Sequence, residues 1–389
     1  MRQILLLCCA LNFQMVALLG QNVLTGKVVD SATQRPIPFA TVYFDGTTNG
    51  QTTDDNGQFS LTLKGIELPA VLVVSHVGYR TQILNITTAT ETLAIQLSLQ
   101  GQLMGTVVVQ DRNQRLKNIE EFRRLFLGSD EWGKRARIQN EEALLFERDY
   151  ATQKVNTTSK YMRRMALKAN PGRVEWAVDS SYFVYDKALN LQAVSKVPLV
   201  VELPHLGYSL RVDLVRFLTE YKSGRTGYLG HYFFISEEGP DGKVRPQHQK
   251  NRQRAFFNSS LHFLRSLFSG TLAENGYQVL EAVKDGTAKE KKLLPFDITP
   301  FLHRVEKDQL EIRGLAGRQL VILYYGDARG RPIPANKWKN KQPVQSGMHF
   351  GENACRIRPD GTVGDSDLAF SGYIGSHGVA WILPSDYEQ

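Results

Sequence analysis

The order of short apolar runs and turn residues between Val23 and Gln110 constrains this chain more than any other feature. Turn signals recur there about every eight to twelve residues, a spacing that an antiparallel sandwich produces. The pattern predicts strands at 24–29, 39–44, 50–53, 58–63, 70–75, 81–86 and 93–99. In Phe39-Ala-Thr-Val-Tyr-Phe and Gln58-Phe-Ser-Leu-Thr-Leu apolar residues alternate with polar ones, so each strand buries one face and wets the other. Asp54-Asp55-Asn56-Gly57 reads as a turn, since Asp and Asn side chains bond back to nearby backbone and Gly supplies a positive φ. Pro36 and Pro38 fix the entry to the second strand and deny it ladder donors at that end.

The chain of 389 residues, 42% hydrophobic and 10% aromatic, has material for two or three packed domains. Residues 1–20 read instead as a secretory signal peptide: Arg2, an apolar stretch from Ile4 through Leu19, and Gly20 before polar Gln21 and Asn22. Asn12 and Gln14 interrupt the stretch, which disfavours a membrane anchor. Leu7 stands where lipidation at Cys8 would want a small residue. Cys8 and Cys9 leave with the peptide, so Cys355 alone remains and no intramolecular disulfide is expected. Of 47 basic residues, loss of Arg2 leaves 46 against 39 acids. Residues 21–110 hold four basic and six acidic residues, so the positive excess belongs to the second part. An exported chain with such interleaved charge points to a solvated or anion-facing exterior and away from nucleic acid.

Four motifs stand in order in the first region: Gly26-x-Val-x-Asp30, Pro36-x-Pro-x-Ala-x-Val42, Thr53-Asp-x-x-Gly57-x-Phe59-x-Leu61 and Val77-Gly-Tyr79. Together they resemble the carboxypeptidase-like regulatory domain, a transthyretin-like seven-stranded sandwich abundant in exported proteins of Bacteroidetes. The resemblance implies a non-catalytic module, of the kind that follows the catalytic domain in metallocarboxypeptidases and precedes many outer-membrane uptake barrels. No sustained series of ten-residue alternating strands follows here.

Residues 101–118 read as a boundary, with a last strand at 106–110 and a charged connector. Beyond it the pattern predicts a helix at 119–127 and strands at 143–146, 174–178, 181–185, 197–202, 206–214 and 227–235. One long helix is expected over 251–268, then strands at 311–312, 320–325, 355–357 and 380–383. Phe126-Leu-Gly-Ser, Pro198-Leu-Val-Val-Glu-Leu-Pro-His-Leu-Gly-Tyr208, the run from Arg254, Gly276-Tyr277 and Leu383-Pro-Ser-Asp-Tyr resemble the body of stand-alone carboxypeptidase-like regulatory domain proteins. That resemblance implies no assigned activity.

The chemistry-bearing patterns are sparse. His303-Arg-Val-Glu306 has the spacing of two zinc ligands, with His349 or His377 as a third. Such a pair arises often by chance, and a catalytic zinc needs three ligands and a positioned acid. The Gly-x-Ser-x-Gly elbow, phosphate loop, His-Glu-x-x-His and Cys-x-x-Cys motifs are absent from the sequence. Ser376-His377 reads as a turn, and Asp360, Asp365 and Asp367 as a solvated double turn rather than a cation site. Lys243, Arg245, His248, Lys250, Arg252 and Arg254 form one basic patch. Lys337, Lys339 and Lys341 around Trp338 form another, and both suit anionic groups if not merely solvated. Tyr150, Tyr161, Trp176, Tyr182, Phe183 and Tyr185 lie among strands, where they either pack a core or stack on sugar rings.

The expected protein is therefore mainly β with some α: a signal peptide at 1–20, a transthyretin-like seven-stranded β-sandwich at 23–110, and a strand-rich α+β region at 119–389. Its expected role is non-catalytic binding or assembly in the periplasm or at the outer membrane, with an envelope protein or a glycan as partner and no cofactor. The rival expectations are a zinc-dependent, carboxypeptidase-related hydrolase and an accessory to outer-membrane carbohydrate uptake.

Overall fold

The computed structural model describes residues 23–88, 92–100, 112–169, 174–177, 181–239, 241–284, 291–351, 354–364 and 368–388. The signal-peptide stretch and the strand expected at 106–110 lie outside them. Strands predominate over helices. The described residues form two compact units, one holding residues up to Leu125 with Ile138–Glu202 and Leu210–Ile235, the other Phe126–Arg137, Leu203–Ser209 and the chain from Ser236.

The first unit begins with the sandwich. Its strands are β1 (Val23–Asp30), β2 (Thr41–Phe44), β3 (Gly50–Thr52), β4 (Gln58–Thr62), β5 (Ala70–Ser75), β6 (Gln82–Ile86) and β7 (Leu93–Leu97). One sheet runs β4-β1-β7, with β1 and β7 parallel, and the other runs β3-β2-β5-β6. Leu24, Val28, Phe59, Leu61, Ile95 and Leu97 of the first sheet meet Val42, Phe44, Leu72, Val74 and Ile86 of the second in one core. The alternating burial of β1 and β4 is what the period-two pattern requires.

The four motifs prove to be one hydrogen-bonded assembly. The hydroxyl of buried Thr53 donates to the Ile37 carbonyl (2.7 Å) and accepts from the Ala40 amide (2.9 Å), and its backbone pairs with Phe39 and Ala40. This ties the proline-rich motif to the Thr-Asp motif. Asp54 Oδ1 accepts from the Asn56 and Gln58 amides, closing the turn. Gly57 sits at φ +71°, and a Cβ there would lie 2.4 Å from the Val28 carbonyl oxygen. Asp30 accepts from the Ala32 and Thr33 amides and from the Thr33 hydroxyl, while Tyr79 donates to its other oxygen at 3.0 Å. Hydrogen bonds from Thr33 hold the Asp30 carboxyl below the usual range.

Further along the same unit come β8 (Arg137–Ile138), β9 (Leu144–Glu147), β10 (Tyr150–Asn156), β11 (Val174–Trp176), β12 (Tyr182–Ala188), β13 (Asn190–Ser195), β14 (Leu199–Leu203), β15 (Tyr208–Glu220) and β16 (Arg225–Ser236). Six of them form a sheet ordered β8-β14-β15-β13-β9 with β16 on β15, and three form a smaller sheet ordered β10-β12-β11. The helix expected at 119–127 extends backwards through the charged connector as α1 (Arg112–Phe126), packing Phe122 against Phe146 and Phe217. A second helix, α2 (Lys160–Ala169), lies beside β11 and β12. The sandwich is joined to this sheet: Phe233 of β16 packs on Tyr43 and Val73, and Gly46 donates to the Tyr232 carbonyl at 2.7 Å.

The second unit contains β17 (Tyr277–Lys284), β18 (Lys291–Pro295), β19 (Leu302–Glu306), β20 (Gln309–Ile312), β21 (Leu320–Tyr324), β22 (Val344–His349), β23 (Cys355–Ile357) and β24 (Ala369–Ser371). They make a five-stranded sheet, β18-β17-β21-β22-β24, and a three-stranded one, β19-β20-β23. The single helix expected over 251–268 is two: α3 (Pro246–Phe256) and α4 (Ser260–Ser269). Asn258 at φ +60° breaks the path, and Ser259 caps α4 by accepting from the His262 amide. The strand expected at 380–383 is a 3-10 turn, Val379–Trp381. Phe263, Leu264 and Leu267 of α4 enter a core with Tyr277, Ile322, Met348 and Cys355.

Candidate functional site

The first unit contains a cleft of about 350 Å³, lined by Ser75, His76, Tyr79, Arg80, Thr81, Gln100, Ser195, Lys196, Val197, Pro198 and Asp213. That size falls within the range of small-ligand sites. One wall is the His-Val-Gly-Tyr motif, turned by Gly78 at φ +87° and pinned by amide bonds from Tyr79 to His76, Arg80 to Ser98 and Gln100 to Gly78. A second part of the lining is the bend leaving β13, held by the Lys196 amide on the Ala143 carbonyl. Several polar groups of the lining already serve the fold. Thr81 donates to the Asp213 carboxylate, and the Ser195 hydroxyl accepts from the Leu214 amide at 3.2 Å. His76 packs edge-on to Tyr79, with its Nδ1 buried and unpartnered among the described residues. Arg80 and Lys196 are exposed, and neither forms an ion pair among the described residues. The arrangement can receive an anionic group and donate hydrogen bonds to it.

The residues singled out by sequence are distributed differently. Lys243, Arg245 and Lys250 are exposed before and along α3, but Arg252 is not part of a solvent-facing patch. Only 6% exposed, it donates to the Leu206 and Gly207 carbonyls at 2.8 Å each and to Ser236, with its guanidinium 3.7 Å from the Tyr208 ring centre. Burial lowers the Arg252 pKa and raises that of Tyr208 to about 12. The correction follows from helix geometry, which sends alternate members of a basic run to opposite faces. His248 is likewise buried. Around the other patch, Lys337 and Lys339 are exposed, whereas Trp338 stacks on Tyr325 and donates to the Ile333 carbonyl.

His303 and Glu306 lie exposed on β19, where a bulge separates Arg304 from Glu306. Their spacing falls on a strand, without the helical face that brings residues three apart together. His349 bonds to the Ser371 hydroxyl, and His377 packs on Tyr373 and Trp381. Among the described residues no three potential ligands gather in a metal-holding group. Ser376 closes a short helix, Gly372–Ser376, where a turn is expected, and donates to the Tyr373 carbonyl; Asp360 accepts from Thr362, while Asp365 and Asp367 lie outside the described residues. Of the aromatics between 150 and 185, Phe183 is core and Tyr150 and Tyr161 are exposed.

Sequence reading missed an aromatic cluster in the second unit. Trp132 stacks on Trp381 with centroids 3.8 Å apart and on His205 at 4.6 Å, and Arg254 lies over both indoles. Asp130 accepts from the Gly133 amide and from the Trp381 indole. His205 reaches the Ala380 carbonyl, and burial lowers its pKa. The signal was dispersed: 126–132, 203–209 and the chain end are three separate stretches, with no spacing to join them.

Comparison with known proteins fits this picture at its front. Residues 24–109 match the family model of the CarboxypepD_reg-like domain, so the chain carries a carboxypeptidase-like regulatory domain there. No curated protein matches. Among solved structures, a protein of unknown function from Bacteroides fragilis, described conjecturally as membrane-associated, is 13% identical over 55% of this chain and 94% of its own, with a TM-score of 0.15. A 9R-lipoxygenase from Cyanothece PCC8801 is 10% identical over 90% of this chain and 42% of its own, with a TM-score of 0.17. Scores so low carry no argument about fold or role. Among the described residues no helix is long and apolar enough to cross a membrane, which says nothing of strand-built spans.

Proposed function

We propose that this chain is an exported, non-catalytic binding protein of the cell envelope, whose cleft takes an anionic group presented by an envelope protein or glycan. The observation that carries the reading is the pair Arg80 and Lys196. They are the cations of the lining, while its carboxylate, Asp213, is engaged by Thr81. A non-catalytic role accords with the regulatory-domain match, and the Ser195 hydroxyl serves the Leu214 backbone.

The test is titration of the full chain against a panel of acidic oligosaccharides and carboxylate-ended peptides by calorimetry. Binding by at least one class, weakened about a hundredfold or more by Arg80→Ala with Lys196→Ala, is the expected result, since each of the two lost charge-assisted bonds is worth about 1.5 kcal/mol or more. Binding indifferent to both changes, or none across the panel, refutes the cleft. Stoichiometric zinc lost on His303→Ala, together with hydrolytic turnover, refutes the non-catalytic role.

A further inference from the structure

Helix α2 is polarised the wrong way round for a helix that belongs only to its own domain. Its sequence, Lys160-Tyr-Met-Arg-Arg-Met-Ala-Leu-Lys-Ala, is amphipathic, and packing would ordinarily turn the apolar stripe towards the sheet. Instead Arg163 and Ala166 are the half-buried positions, with the Arg163 guanidinium 5.5 Å from the Trp176 ring centre and its Nε buried. Tyr161 is 67% exposed, Met162 48% and Met165 45%. Tyr161 and Met165 stand one turn apart, and Met162 and Met165 share that side. Beside them Lys160, Arg164 and Lys168 form a row at four-residue intervals, all exposed. The helix contains no acid, and no ion pair engages these three cations among the described residues.

We infer that α2 docks the protein on an anionic lipid bilayer, lying in the plane of the interface with Tyr161, Met162 and Met165 at the acyl boundary and the basic row among the headgroups. Charge complementarity chooses this occupant: a row of cations along an apolar stripe matches a surface of anionic headgroups over hydrocarbon. The long basic stems let charge remain at the headgroups while the backbone settles lower. Tyrosine carries a ring for the boundary and a hydroxyl for the water side. The inference rests on the envelope reading only for the presence of a bilayer in the protein's surroundings.

The experiment is co-sedimentation of the purified full chain with phosphatidylcholine vesicles and with vesicles containing phosphatidylglycerol, at low and high salt. Sedimentation with the anionic vesicles, weakened by salt, is expected. Arg164→Gln with Lys168→Gln should lower partitioning about thirtyfold, since each cation near such a surface is worth about 1 kcal/mol. Tyr161→Ser with Met165→Ser should lower it about tenfold or more. All four positions are exposed, and an unchanged melting temperature confirms an intact fold in each variant. Arg80→Ala with Lys196→Ala should sediment like the parent, which separates failure of the cleft from failure of the helix. The proposal is overturned if the chain ignores anionic vesicles, or if either α2 variant sediments undiminished. It is also overturned if heparin in solution binds as tightly as the vesicles and depends on the same cations, because α2 would then serve an acidic polymer.

Discussion

Replacing Thr53 by valine keeps the shape of the side chain and deletes only its hydroxyl. That hydroxyl makes two buried hydrogen bonds, donating to Ile37 and accepting from Ala40. The substitution would leave a carbonyl and an amide unsatisfied in the sandwich, each costing about 1–3 kcal/mol. Partial relaxation brings the sum to about 2–4 kcal/mol, because the backbone bonds between Thr53 and residues 39 and 40 remain. Hydrogen exchange on the full chain reads the local effect: the Ala40 amide should lose protection by about 30- to 1,000-fold, at about 1.4 kcal/mol per tenfold. Thr53→Ser retains both bonds and gives up one methyl group, so its cost should stay near 1 kcal/mol. Equal protection of Ala40 in the two variants would refute the claim that this hydroxyl, rather than packing, joins the two motifs.

Gly57→Ala places a Cβ against the Val28 carbonyl at positive φ and should cost about 2 kcal/mol or more, read as a lowered urea midpoint; an unchanged midpoint would remove the close approach as the reason for glycine. Arg252→Lys should lower stability by about 2 kcal/mol in thermal melts, because an ammonium cannot span the two carbonyls that the guanidinium fork reaches, while binding at the cleft stays unchanged. The hydrogen bond from His231 to Asp45 raises the histidine pKa, so its contribution to stability is full below the unfolded value of about 6.5 and disappears as pH rises through the folded value. An NMR titration of His231 should show that elevation, and Asp45→Asn should abolish it together with the corresponding slope of stability against pH.

The front of the chain was legible because its information is local. Period-two alternation, Asx chemistry at Asp54 and glycine at 57 each act within a few residues, and all seven expected sandwich strands form. The second strand starts at Thr41 rather than Phe39 because Phe39 takes φ +57° behind the two prolines and stands exposed. Farther on, apolar content gave the existence of strands such as β15, β16 and β23 but not their partners. The break before α4 was written in Asn258-Ser-Ser, a capping signal that the apolar periodicity of 251–268 hid. The site was less legible than the fold. Arg80 and Lys196 are 116 positions apart in number and share a cleft only through tertiary structure, whereas Arg252 looked like a surface charge because composition cannot say which face of a helix is covered. The bond from Tyr79 to Asp30 could not be read either, although each residue belongs to one of the four motifs.

The seat of Phe233 on Tyr43 and Val73 bears on how this protein is made. Asp45 and His231 are separated by 186 positions, so the ribosome delivers the sandwich long before the strand that covers its outer sheet. Until then a patch of tyrosine and valine beside an unengaged carboxylate is open to any passing chain, an opportunity for chaperones and for misassembly alike. Cutting the chain at residue 110 to obtain the front domain alone recreates that immature surface permanently. A recombinant fragment of this kind should be less soluble than its ordinary composition suggests, and its remedy is a mutation at Tyr43, not a longer linker.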